Sequence, residues 1–176
     1  RYPLHPFGRQ EEVKNMDIRQ GFGYDIHTLK KEEGATLLLS KVKVEGGYKV
    51  DSHSDGDIVL HALSNAILSG LGKEDIGVYF PDNSEKTKDM DSSKILAFAL
   101  EEMKKEGYHL SNVVVDILLQ EPKLKPYREK IKESLAELLS LDISRIGLSA
   151  NTGEHVGVIG KKEAIIVYAT VLLIKD

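Results

Sequence analysis

The stretch DSHSDGDIVLHALSNAILSG, residues 51–70, joins a cluster of aspartates and histidines to an apolar segment. The apolar residues recur at four-residue steps, in the rows Ile58–Ala62–Ala66 and Val59–Leu63–Ile67. This period predicts a helix from Asp57 to Ser69 with both rows buried, while a polar row of Asp57, His61 and Asn65 lies beside them. A packed core does not need such a polar cluster, so the segment indicates a site for a metal or a phosphate.

Upstream, the segment GFGYDIH, residues 21–27, has the alternating pattern of a β-strand. Alternation places Asp25 and His27 on one face together with two glycines, and the apolar side chains of residues 22, 24 and 26 on the other. We expect the glycines to leave space around the two polar side chains. A third polar group from a neighbouring helix can therefore approach Asp25 and His27.

The rest of the chain alternates between strand and helix patterns. Predicted strands are TLLLS (36–40), KVKV (41–44), YKV (48–50), NVVVDILLQ (112–120), RIGLSAN (145–151) and AIIVYATVLLIK (164–175). Further helices are predicted from a cap at Asp91 or Ser92 to about Glu106, and from Pro126 onwards. This order predicts an α/β fold of the α+β sandwich type, a single domain with one mixed β-sheet and helices on one face.

Length and composition limit the classes of protein and of metal site. The 176 residues suit one domain, and a net charge of −4 argues against a general nucleic-acid binder. No apolar run reaches the ~20 residues that span a bilayer, so we expect no membrane insertion. Because the chain has no cysteine, any metal ligands must be histidines and carboxylates. Residues 1–16 have no periodicity, and we interpret them as an arm or the remnant of a leader.

Asp25, His27 and His61 form a candidate zinc site. Two imidazoles and one carboxylate suit zinc, and three protein ligands leave a fourth position open for a substrate oxygen. The alternative is a hydrogen-bonded core histidine with an exposed Asp-x-His pair. Spacing alone leaves both readings open.

His53 and Ser54 precede the predicted helix that carries His61. Backbone N–H groups and the dipole at a helix start favour a phosphate there. Simple N-capping by Ser54, Asp55 and Asp57 is the alternative, and both roles are compatible.

Two loops carry further candidates. DIGVYFPD, residues 75–82, is either a turn capped by its aspartates or a site that recognises hydroxyl groups. NTGEH, residues 151–155, is either a tight turn or a loop in which Glu154 binds a phosphate-bound divalent cation.

Four motifs together resemble one enzyme family. GFGYDIH, HSDGDIVLHAL, DIGVYFPD and ANTGEHVG, in this order, are similar to the 2-C-methyl-D-erythritol 2,4-cyclodiphosphate synthases of the non-mevalonate isoprenoid pathway. The likeness runs from about residue 18 to residue 175, which makes residues 17–176 the synthase domain. It implies a homotrimer with active sites between subunits. It also implies conversion of 4-diphosphocytidyl-2-C-methyl-D-erythritol 2-phosphate to the cyclic diphosphate and CMP.

The resemblance also implies a role for each matching residue. The zinc ligands are Asp25, His27 and His61. The catalytic residues are His53, Thr152 and Glu154, of which Glu154 binds a second cation, magnesium or manganese. The remaining substrate contacts are Ser54 with a phosphate, Asp75 and Gly77 with the ribose, Asp82 near the methylerythritol hydroxyls, Leu119, Lys123, Leu124 and Lys125 with the cytosine, and Asn151 and Thr152 with the diphosphate.

Five residues depart from the family pattern: Asn65 stands for a frequent Asp, Gly153 for Thr, His155 for Lys, Lys161 for Arg and Val158 for an aromatic residue. Two other functions remain open from the residues alone, a two-metal phosphodiesterase or phosphatase and a zinc-stabilised trimeric binding module.

We expect a plastid-type organelle as the location, with a bacterial cytoplasm as the alternative.

Overall fold

The computed structural model describes residues 16–81 and 89–175. Its strands are β1 (Asp17–Lys31), β2 (Thr36–Leu39), β3 (Val42–Glu45), β4 (Tyr48–Val50), β5 (His109–Leu118), β6 (Ile146–Asn151) and β7 (Ala164–Lys175). Its α-helices are α1 (Ile58–Gly70), α2 (Ile76–Tyr79), α3 (Ser92–Lys105), α4 (Arg128–Leu139) and α5 (Gly157–Gly160). Single 3₁₀ turns lie at Lys125–Tyr127 and Ile143–Arg145.

Within the described ranges, five strands form one sheet in the order β4-β1-β7-β5-β6, and β2 pairs with β3 in a separate hairpin. Strands β5 and β6 are parallel, and the other neighbours in the sheet are antiparallel. The predicted mixed sheet is therefore confirmed, while the β2–β3 hairpin forms a second sheet in addition to the one that was predicted. Asp25 on β1 and Ile117 on β5 both pair with Val167 of the central strand β7, so they lie at the same level of the sheet.

The helices cover one face of this sheet. α1 packs on β1 and β7, and α3 packs on α1. Buried side chains from the helices and from the inner face of the sheet form one continuous hydrophobic core. The opposite face of β1 carries Phe22, Tyr24 and Ile26, each about half exposed. The prediction of helices on one face is confirmed.

Asp57 joins the start of α1 to the β2–β3 hairpin. It is the N-cap of α1, and its carboxylate also accepts the backbone N–H groups of Ser40 at 2.8 Å and Lys41 at 2.6 Å. Ser40 and Lys41 both have positive φ, and this conformation directs their backbone N–H groups towards the start of α1. The Asp57 side chain is fully buried, and burial raises its pKa to about 6. The predicted capping role of Asp57 is confirmed.

The helices differ from the sequence-based prediction in their bounds and in number. Helix α1 starts and ends one residue later than predicted, and α2 lies in a segment predicted as a turn. The helix expected from Pro126 begins as a 3₁₀ turn, and α4 proper starts at Arg128. The loop after residue 151 contains the short helix α5, which the pattern did not predict. In contrast, the predicted cap at Asp91 is confirmed, since its carboxylate accepts the N–H of Ser93 at 2.8 Å. Among the described residues, no helix has the length and apolar character that crossing a bilayer requires.

Candidate metal centre and substrate site

Asp25, His27 and His61 converge on one point between β1 and α1. Oδ1 of Asp25 lies 3.3 Å from Nδ1 of His27, and Oδ2 of Asp25 lies 3.0 Å from Nδ1 of His61. One ligand atom from each side chain lies within 4.8 Å of the other two. A single cation can therefore contact all three groups, and the predicted triad is brought together.

Two glycines allow the helix that carries His61 to approach the strand. A Cβ at Gly21 would lie 1.9 Å from the carbonyl oxygen of Ala66, and one at Gly23 would lie 2.4 Å from that of Ala62. No side chain fits there, so α1 lies directly on the β1 backbone. The expectation that these glycines leave space around the ligands was therefore wrong, because the helix itself fills that space.

The Asp25 carboxyl is held in its charged form. Burial alone raises its pKa, but hydrogen bonds and charge interactions with His27 and His61 outweigh burial and leave the pKa below its ordinary value. A partly buried carboxylate between two imidazoles is a donor set that divalent zinc accepts. The three residues therefore fit a divalent cation.

A cavity of about 130 Å³ opens beside the triad. It is lined by all three triad residues and by His53 and Ser54, which precede α1. The Ser54 hydroxyl oxygen lies 3.2 Å from Nε2 of His61 and accepts the backbone N–H of Gly56 at 3.3 Å. The predicted phosphate residues thus lie next to the predicted metal ligands.

The loop 75–77 is attached to α1 at the edge of this cavity. The Asn65 side chain accepts the backbone N–H of Ile76 at 2.9 Å, and Asp75 caps α2 by accepting the N–H of Gly77 at 2.8 Å. Gly77 lines the cavity beside the triad, and Asp75 lines a neighbouring groove that also contacts Asp25. The capping interpretation of Asp75 is confirmed, while its predicted ribose contact stays a prediction. Asp82 lies outside the described residues.

The other predicted substrate residues line a second cavity of about 290 Å³ at the ends of β5 and β6. Its lining comprises the six predicted residues Leu119, Lys123, Leu124, Lys125, Asn151 and Thr152, together with Arg128 and Ala150. It shares no lining residue with the cavity beside the triad. The substrate residues thus fall into two groups, one on each side of β7.

Thr152 and Glu154 lie together in the loop after β6. The Thr152 hydroxyl donates to the Glu154 carboxylate, which is exposed to solvent. Gly153 donates its backbone N–H to the buried Gln120 side chain at 3.2 Å. A Cβ at Gly153 would lie 2.5 Å from the backbone nitrogen of Gly160. The loop can therefore pack this closely only without a side chain at position 153. Glu154 does not join the triad.

The sequence-based analysis missed one residue at the metal centre. The Ser92 hydroxyl, fully buried, lies 2.9 Å from Nε2 of His61. Sequence reasoning treated this residue only as a possible helix cap, and nothing in its local pattern indicates a contact with a residue 31 positions earlier. Asp55, also treated as a cap, accepts from both the Ser92 hydroxyl and the Ser92 backbone N–H.

The sequence model of the YgbB family matches residues 18–174, which includes the triad and both cavities. This chain belongs to the YgbB family. A curated relative, the 2-C-methyl-D-erythritol 2,4-cyclodiphosphate synthase of Halothermothrix orenii, is 43% identical over 89% of this chain and 94% of its own length.

Solved YgbB-type structures have the same fold. The IspF–CDP complex from Plasmodium falciparum superposes with a TM-score of 0.79 at 40% identity, over 90% of this chain and 97% of that chain. The bifunctional IspDF from Campylobacter jejuni superposes with a TM-score of 0.86 at 34% identity, over 92% of this chain but only 43% of that chain. The present chain thus corresponds to under half of the bifunctional protein and to nearly all of the Plasmodium falciparum chain.

Proposed function

We propose that this chain is a 2-C-methyl-D-erythritol 2,4-cyclodiphosphate synthase of isoprenoid biosynthesis. An oxygen of the substrate's 2-phosphate attacks the β-phosphorus of the cytidine diphosphate group. The new P–O bond closes the cyclic diphosphate, while the bond from the β-phosphorus to the bridging oxygen breaks and CMP leaves with that oxygen. The observation that carries this function is the Asp25–His27–His61 triad beside a cavity of about 130 Å³, in a chain of which residues 18–174 match the YgbB family.

The chain's own residues position the reacting phosphates. Ser54 offers a hydroxyl to phosphate oxygens, and His53 lines the same cavity. The backbone N–H groups at the start of α1 are buried and bonded within the protein, so they do not bind the phosphate. When bound, zinc at the triad neutralises and polarises phosphoryl oxygens. Holding nucleophile and electrophile in line lowers the entropic barrier of the ring closure. No protein nucleophile is required.

We assign the second cavity to the cytidine end of the substrate. Leu119 and Leu124 provide apolar walls, and Lys123, Lys125 and Arg128 supply positive charge near the opening. The Plasmodium falciparum relative was solved as a CDP complex, which supports a cytidine nucleotide as the ligand of this fold. Asn151 and Thr152, at the end of β6, then face the diphosphate.

Glu154 is the proposed ligand of a second cation, magnesium or manganese, carried by the diphosphate. It is an exposed carboxylate that accepts from Thr152, a residue that lines the cytidine cavity, and it is not part of the triad. Oxygen ligands suit these hard cations, which retain several waters and bind phosphates directly. An acidic chain with a net charge of −4 can in this way bind a polyanion through metals.

A homotrimer would bring the two cavities together across subunit boundaries. The two lining sets share no residue, and the outer face of the sheet exposes Phe22, Tyr24 and Ile26. Phe22 also stacks with Tyr168 at a ring distance of 6.1 Å, which extends this apolar surface onto β7. Large exposed apolar patches mark protein interfaces. Sedimentation velocity tests the trimer, and Tyr24→Arg should shift the mass towards one chain. A monomeric mass of the unmodified chain would contradict the trimer, and an unchanged trimeric mass of the variant would contradict the assignment of this face to the interface.

Product analysis tests the reaction itself. The protein is incubated with 4-diphosphocytidyl-2-C-methyl-D-erythritol 2-phosphate, with and without a chelator, and followed by phosphorus NMR. A cyclic diphosphate plus CMP, abolished by the chelator, supports the synthase. A linear monophosphate would instead indicate hydrolysis by a phosphodiesterase, and an unchanged substrate would indicate a binding module.

A further inference from the structure

Each of the two ring nitrogens of His61 contacts a polar side chain. Nδ1 faces Oδ2 of Asp25 at 3.0 Å, and Nε2 faces the Ser92 hydroxyl oxygen at 2.9 Å. His61 is 6% exposed and Ser92 is fully buried, so water does not compete for the contact between them. The side of the ring away from the metal position is therefore fixed by a protein group.

The hydrogen atoms in this contact can be assigned from the partners of Ser92. Its hydroxyl donates to Oδ1 of Asp55, and a carboxylate can only accept. A hydroxyl has one hydrogen, so the Ser92 oxygen must act as the acceptor towards His61. A hydrogen therefore lies on Nε2 of His61, and in the neutral, metal-binding form of the ring the lone pair is on Nδ1.

Asp55 is itself held in the orientation that this assignment needs. Its Oδ2 accepts the Ser92 backbone N–H at 3.2 Å, and its Oδ1 accepts the Asp57 backbone N–H at 3.2 Å. The Asp57 bond ties Asp55 to the start of α1, the helix that carries His61. Ser54 lies 3.2 Å from the same Nε2 and can accept the same hydrogen, which reinforces the tautomer.

We propose that Ser92 is a positioning residue of the metal centre. Oriented by Asp55, it keeps the hydrogen of His61 on Nε2 and fixes the ring, so that the Nδ1 lone pair points at the metal position beside Asp25. The inference rests on the metal role proposed above. Groups that orient a metal-binding histidine in this way contribute roughly 10- to 100-fold to metal affinity.

Zinc affinity tests the proposal, measured on the full chain by competition with a chromophoric chelator. Ser92→Ala should bind zinc roughly 10- to 100-fold more weakly than the unmodified chain. Ser64→Ala is the matched control, because Ser64 is an equally buried serine. Its hydroxyl donates a hydrogen bond to the Leu60 carbonyl oxygen at 2.7 Å and not to His61. Its zinc affinity should not change. Equal affinities for the Ser92 and Ser64 variants would overturn the positioning role.

A spectroscopic measurement keeps the test valid if the Ser92 variant fails to fold. In the unmodified, zinc-loaded, ¹⁵N-labelled chain, the His61 ring should show a slowly exchanging hydrogen on Nε2 and zinc on Nδ1. A hydrogen on Nδ1 with zinc on Nε2 would overturn the proposal. If the unmodified chain binds no zinc, the metal role fails and this inference fails with it, whereas equal affinities reject the role of Ser92 alone.

Discussion

The Asn65 side chain accepts the backbone N–H of Ile76 at 2.9 Å, and this bond ties the loop 75–77 to the helix that carries His61. Asn65 lies one turn beyond His61 on the polar row of α1 and lines the cavity beside the triad. The loop that we assign to the ribose is thus placed by the same helix that supplies a metal ligand.

Asn65→Ala should weaken substrate binding more than turnover. Loss of one partly buried hydrogen bond costs about 1–2 kcal/mol, so KM should rise roughly 5- to 30-fold while kcat changes less. Asn65→Asp is the matched control, since a carboxylate oxygen can still accept the Ile76 N–H. Steady-state kinetics of the two variants check this prediction. An Asn65→Ala enzyme with normal KM would mean that the loop is held without this bond.

Gly23→Ala should separate α1 from β1. The new Cβ would lie 2.4 Å from both the Ala62 carbonyl oxygen and the Ala66 nitrogen, and neither backbone atom can move alone. We expect a loss of about 1–3 kcal/mol of unfolding free energy and weaker zinc binding. Gly147→Ala, in which the new Cβ meets nothing nearer than the Val114 side chain at 3.4 Å, should be tolerated far better. Urea unfolding and zinc titration measure both effects, and equal stability of the two variants would contradict the account of the close contact.

The contribution of Asp57 to the free energy of unfolding should decrease as pH rises. Its folded pKa of about 6 lies above the ordinary 3.8, so the folded chain binds more protons between these values and the Asp57 contribution falls as pH rises through them. A shift of this size corresponds to about 3 kcal/mol. The unfolding free energy of the unmodified chain minus that of Asp57→Asn should therefore decrease between about pH 4 and pH 7.

Asp142 provides a control of opposite sign for this pH measurement. Hydrogen bonds from Ser144 hold the pKa of the Asp142 carboxyl below its ordinary value, so its contribution is lost as pH falls. The same difference, taken with Asp142→Asn, should rise with pH only up to about pH 4 and stay level between about pH 4 and pH 7. A parallel response of the two variants would show that the burial of Asp57 does not control the effect.

Glu154→Gln should reduce turnover while the triad keeps its metal. Glutamine preserves the size of the side chain and an acceptor for the Thr152 hydroxyl, but it removes the charge that binds the second cation. Because a cation that neutralises phosphoryl charge contributes several kcal/mol, kcat should fall roughly 100-fold or more. Elemental analysis should still find one zinc per chain. Loss of that zinc would contradict separate roles for the triad and Glu154.

The local pattern of the sequence was sufficient to propose Asp25, His27 and His61 as a cluster, but it left open whether the cluster binds a metal. Strand alternation places Asp25 and His27 on one face, and the helical period places His61 on a polar row beside the buried stripe. Both periods are local properties of the backbone, so they do not depend on the rest of the fold. The same reasoning failed for Gly21 and Gly23, because their role depends on which helix packs against them.

Other features depend on contacts that no local pattern contains. The Ser92 side chain contacts His61, which lies 31 positions earlier in the sequence. The sequence around Ser92 has the pattern of an ordinary helix start. The separation of the two cavities follows from the strand order, in which β7 lies between β1 and β5. α5 is a single turn, too short for a helical period to appear in the sequence.

The most direct test of the account is a zinc-edge anomalous difference map from crystals of this chain grown with zinc. We predict one strong peak per chain, bonded to a carboxylate oxygen of Asp25, a ring nitrogen of His27 and Nδ1 of His61. A map in which these three side chains point apart, with zinc bound elsewhere or not at all, would contradict the proposed metal centre.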